Sequence, residues 1–146
     1  MSYYGFKSYE NLIIKEVIDN SVKTPIELIK SFSPVSEENM DTVNTVSSCE
    51  MFFSEEAYVY KIYWGLIIFY LTKYDNFEIE NKWLNIALLL YDHLEKEIME
   101  DEFFNKSWLS TYKRKSELDN EKNIILNKIK NNEIKSKSLE LNVHVQ

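Results

Sequence analysis

Residues 57–72 constrain the fold more than any other part of the chain. Between positions 57 and 71 the only charged residue is Lys61, and apolar groups occupy every side of a helical wheel. A helix that is apolar all round is stable in water only when neighbours wrap it. The run is about sixteen residues long, short of the ~20 a bilayer requires, and Glu55 and Glu56 stand at its entrance. The segment therefore predicts a central helix over about 54–73 rather than a membrane span. Gly65 in its middle costs about 1 kcal/mol relative to Ala, a cost that a close helix crossing would explain.

The flanking sequence supplies helices to do the wrapping. Tyr9, Leu12, Ile13, Val17 and Ile18 recur at helical spacing and predict a first helix over about 8–22. Thr24, Pro25 and Glu27 form a capping-box signature: a hydroxyl cap, proline at the first helical position and glutamate at the third. Pro34 closes that second helix near Ser33. Ser36, Glu37 and Glu38 open a third, and Ser54, Glu55 and Glu56 repeat the signal before the central helix. After a break at 76–81, Trp83, Ile86, Ala87, Leu90, Leu94 and Ile98 trace one apolar face of a fifth helix over about 82–100. A sixth is expected over 107–116, and Asp119 with Glu121 marks the start of a seventh carrying Ile125, Leu126 and Ile129.

Two glycines and two prolines are too few for a β fold. The expected fold is all-α: a single domain over 1–137, with six to seven helices around the central one. Residues 138–146 depart from this pattern. Ser138 to Val145 alternates apolar and polar residues with period two, which predicts a short strand. Such a strand needs a partner: residues 77–80 within the chain, the sheet edge of another protein, or none if the terminus frays.

Catalytic signatures are missing. Gly5 and Gly65 cannot make a phosphate loop, and Cys49 stands alone, so neither a disulfide nor a cysteine-based zinc site can form within the chain. The reducing cytoplasm is the compartment this suggests. His93 has Glu97 one turn later, a pair that can contribute to a metal site, but no second such unit accompanies it. The paired acids at 55–56 and at 95 and 97 sit where a helix cap or an exposed face would put them. The expectation is a protein that is not an enzyme and takes no cofactor or metal.

Charge is the property with most to say about partners. The net charge of −7 is unevenly placed, with residues 1–102 strongly acidic and 103–146 basic. Acids are densest at Glu95, Glu97, Glu100, Asp101 and Glu102, followed directly by Phe103 and Phe104; Glu37, Glu38 and Asp41 form a second cluster, and Glu78 with Glu80 a third. Such patches are either solvated faces or docking surfaces for a basic protein, whose encounter they accelerate. One stretch points the other way. Phe103, Phe104, Trp108 and Tyr112 interleave with Lys106, Lys113, Arg114 and Lys115, the composition of a surface for nucleic acid, although 104, 108 and 112 also have the spacing of a core-facing stripe. The acidity of the rest of the chain argues against direct nucleic-acid binding.

In size, acidity, the Asn, Ile and Lys bias of AT-rich coding, and the missing catalytic motifs, the chain resembles the small acidic immunity proteins that bacteria make against their own polymorphic or contact-dependent toxins. That resemblance implies neutralisation of a cognate toxin, often a basic nuclease, by covering its active site or substrate-binding surface. A helical adaptor or regulator, and an enzyme with unrecognised machinery, are the alternatives.

Overall fold

The computed structural model describes residues 3–42, 58–98 and 100–145. Among these, α1 spans Leu12–Asn20, α2 Pro25–Ser31, α3 Tyr58–Lys73, α4 Asn81–Glu97 and α5 Trp108–Val145, with a 3-10 helix at Glu37–Thr42. The described residues contain no strand, only an isolated antiparallel bridge between Tyr3 and Asn11. Cys49 and the start signal at 54–56 lie outside the described residues.

The central helix is α3. Ile62, Tyr63, Trp64, Leu66, Ile67 and Ile68 are all buried on it, and α1, α2, α4 and α5 each pack against it. Lys61 is accommodated because its ammonium meets Glu97 Oε2 of α4 at 2.7 Å. Tyr63 donates its hydroxyl to the Trp83 carbonyl at 2.6 Å, tying α3 to the start of α4. The chain passes close to Gly65: a Cβ there would lie 2.4 Å from Ile14 Cδ1 of α1 and 3.2 Å from the Ser8 carbonyl oxygen. The close crossing expected at this glycine is present.

Local signals were followed with different fidelity. Thr24 and Glu27 make the reciprocal capping box. The apolar face of α4 is buried as its periodicity requires. The first helix starts later than Ser8, because Asn11 is its cap, accepting from the Ile13 and Ile14 amides, while Ser8 is drawn into the core. The third helix is 3-10 as far as it is described.

Two expectations are corrected at the C-terminal end. The predicted sixth and seventh helices are one, α5, of 38 residues. Asp119 and Glu121, which resemble a helix start, are interior acids: Asp119 pairs with Lys115 one turn earlier, and Glu121 with Arg114 two turns earlier. The bundle therefore has five α-helices among its described residues rather than six or seven. Nor is 138–145 a strand; it continues α5. Propagating an existing helix satisfies each new backbone group within the chain, whereas a strand needs a neighbour. The candidate within the chain, residues 77–80, is engaged otherwise, since Asn132 Nδ2 donates to the Ile79 carbonyl at 2.9 Å.

Candidate protein-interaction surface

The densest acidic cluster lies at the end of α4 and in the turn before α5. Asp101 shapes that turn: its carboxylate accepts from the Phe103 amide at 2.9 Å, and its carbonyl from the Phe104 and Asn105 amides. Ser107 then caps α5, accepting from the Ser110 amide at 3.1 Å. Within this frame the acids and aromatics divide between inside and outside.

Phe104 turns inward, buried against Tyr3 at 4.6 Å and Phe6 at 6.0 Å between ring centroids. Glu97 also turns inward, receiving the Tyr60 hydroxyl and the Lys61 ammonium. Burial, then the neighbouring Glu100 and Asp101 carboxylates, push its carboxyl up to about 7 despite that ammonium. Glu95 is drawn to Lys115, which also holds Asp119 at 2.9 Å. Glu100 and Glu102 remain exposed, and neither has an ion pair among the described residues. Phe103 is half-buried under Lys106.

Trp108 and Tyr112 are the surprise at this end of the molecule. They are separated from Phe104 by the turn and do not continue a core stripe. Their rings stack at 5.7 Å with an interplanar angle of 14°. Trp108 is 79% exposed and Tyr112 59%, with Leu109 exposed beside them in sequence. Stacking four residues apart supports the start of the helix locally, but rings this large and this exposed are also the residue types that anchor interfaces.

The basic residues of the same stretch are largely committed. Arg114 is buried, donating to the Phe6 carbonyl and to Ser8 Oγ, each at 2.8 Å. Glu121 completes this network, accepting from the Ser8 amide at 2.8 Å and from Trp64 Nε1 at 2.9 Å. Arg114 thus holds the chain's N-terminal segment rather than phosphate, and with Lys115 ion-paired the cationic stripe for nucleic acid is broken. This buried network was missed in the sequence, where Arg114 looked like a surface cation. Its one signal is the seven-residue spacing of Arg114 and Glu121 on the face that buries Leu118 and Ile125.

The other acidic clusters are partnered in part. Glu37 meets Lys82 and, at 3.9 Å, Lys30, which holds its carboxyl below the usual range. Glu38 is exposed, and the Asp41 side chain lies outside the described residues. Glu78 faces Lys135 at 3.5 Å. His93 packs its ring against Tyr60 at 5.6 Å, while Glu97 points to Lys61. No group of three or more His, Cys, Asp or Glu side chains among the described residues is placed to hold a metal ion. No helix among them is long and apolar enough to cross a membrane.

The Glu97 carboxyl gives a pH-dependent signature. Its folded value lies above the ordinary 4.5, so the folded state holds a proton that the unfolded state has released between pH 4.5 and about 7. Stability contributed by this group is therefore present at low pH and lost as pH rises through that window. Across it, the Tm of the wild type is expected to fall by about 3 °C relative to that of Glu97→Gln. Thermal melts followed by circular dichroism at pH 5 and 8 check this; parallel profiles would contradict it.

Comparison with protein-family models, with curated proteins and with solved structures gives no match for this chain.

Proposed function

We propose that this chain is an acidic helical binding protein whose α4–α5 turn docks on a basic protein and covers that partner's active or substrate-binding surface. The observation that carries the reading is the exposed Trp108–Tyr112 stack directly after a turn whose Glu100 and Glu102 carboxylates face solvent. Aromatic anchors contribute the affinity of an interface and complementary charge its speed and selectivity. Here the two follow one another in the chain. A cationic nuclease is the partner this chemistry suits, because acids on the turn can occupy the place of its substrate's phosphates. The resemblance to immunity proteins fits that reading, with a toxin as the nuclease.

Trp108→Ala is the direct test. The probe is the dominant basic protein that the wild-type chain captures at low salt from its native lysate, purified and titrated calorimetrically. The variant is expected to bind about 30-fold more weakly, the effect of truncating one aromatic hot spot, with its Tm unchanged because the ring is exposed. Unaltered affinity would overturn the reading.

A further inference from the structure

The core-facing stripe of α5 does not stop where the body stops. Leu118 and Ile125 are buried and Ile129 packs on the core; Asn132, Ser136 and Leu139 then continue the same side at spacings of three and four. The body reaches this stripe last at Asn132, which donates to the Ile79 carbonyl at 2.9 Å and to Asn81 Oδ1 at 2.8 Å. Beyond it the helix leaves a trough of about 630 Å³, floored on the body side by Ile26, Ile79 and Trp83 and on the helix side by Leu139. Leu139 is 61% exposed, although its position is that of a core residue. Leu139 thus presents an apolar side chain to the trough beyond the end of the core.

The charges of the trough's walls indicate what finishes it. The body wall carries Glu78 and Glu80, and the helix wall Lys128 and Lys135. We propose that a second copy of this chain docks here, the two α5 arms clasped antiparallel about a two-fold axis, each lying in the other's trough. A two-fold pairing brings one patch against itself, so the lysine wall of each arm meets the glutamate wall of its partner, twice. Leu139 of each copy then seats in the other's trough against Ile26, the partly exposed apolar residue of its floor. The Glu78–Lys135 pair within one chain shows that the walls attract, and with both side chains mostly exposed it is weak enough to be exchanged. The arm as a whole is basic and the body acidic, so the clasp also compensates charge over its full length. This surface uses neither Trp108 nor the 100–102 turn, and it stands or falls separately from the binding function.

Analytical ultracentrifugation of the full chain tests the proposal. The wild type is expected to shift with concentration from 17.5 kDa to twice that mass. Glu78→Lys/Glu80→Lys and Lys128→Glu/Lys135→Glu should each raise the dimer Kd by about tenfold or more, through like-charge repulsion at both contacts. Mixed in equal amounts, the two variants should recover the dimer, since both contacts are then again opposite in sign. Leu139→Asp, at an exposed position, reads the apolar part and should leave the protein folded and monomeric. A wild type that stays monomeric at ~1 mM, the weak end of specific association, would overturn the proposal. So would a dimer indifferent to these changes, or a mixture no more associated than its components.

Discussion

Glu121→Ala is expected to cost about 3–5 kcal/mol of folding stability, the usual consequence of removing one partner from a buried ion pair. In the wild type the Arg114 and Glu121 side chains are 4% and 2% exposed, with 3.6 Å between Nη1 and Oε1. Truncation leaves the guanidinium buried without its counter-charge and deprives Trp64 Nε1 and the Ser8 amide of their acceptor. The N-terminal segment, anchored to α5 by Ser8 and by the Phe6 carbonyl, loosens with them. Urea denaturation measures the loss, and a value under about 1 kcal/mol would contradict this account of the network. Arg114→Met/Glu121→Leu should recover the part of the stability lost to the stranded charge, but not the part lost by Trp64 Nε1 and the Ser8 amide, which stay without their acceptor.

Gly65→Val should cost about 3 kcal/mol, the upper end for overpacking a filled core. The added Cβ meets Ile14 Cδ1 at 2.4 Å and the Ser8 carbonyl oxygen at 3.2 Å. Neither yields freely. Ile14 is fully buried, and Ser8 is held by its amide and hydroxyl bonds to Glu121. Helix propensity alone predicts the opposite sign, since glycine is the poorer helix former by up to ~1 kcal/mol. In an Ile14→Val background, which removes the nearest methyl, the penalty should shrink; a thermal-denaturation double-mutant cycle checks this, and strict additivity would show that the crossing is not the cause.

The two halves of the molecule differ in how far local sequence determines them. The capping box at Thr24, the all-apolar α3 and the amphipathic face of α4 are each written in a single stretch of chain, and each is present in the structure. What could not be read locally was α5. Asp119 and Glu121 carry the chemistry of a helix start, and only the positions of Lys115, Arg114, Ser8 and Trp64 give them partners inside a continuous helix, with Glu121 buried and Asp119 half exposed. The alternation at 138–145 fits a strand, yet Leu139 and Val143 stand four apart and equally fit one side of a helix. With no strand among the described residues to pair with, the helix prevails.

The candidate surface was legible in the same partial way. Charge density located the 95–102 region, but composition does not say which acids have internal cations. Glu95 and Glu97 meet Lys115 and Lys61 from other helices, which leaves Glu100 and Glu102 on the outside. The spacing of Phe104, Trp108 and Tyr112 suited a core stripe until the turn before α5 separated the first from the other two.

The most direct test of the central claim is the rate at which the captured basic partner associates with the wild type and with Glu100→Lys/Glu102→Lys, measured by stopped flow at ~20 mM and ~300 mM salt. The wild-type rate should fall about tenfold or more between the two conditions. The charge-reversed protein should be slower by a similar factor at low salt and nearly equal at high salt, where screening removes the field. Rates that respond to neither salt nor reversal would contradict the claim that this acidic turn meets a positively charged protein.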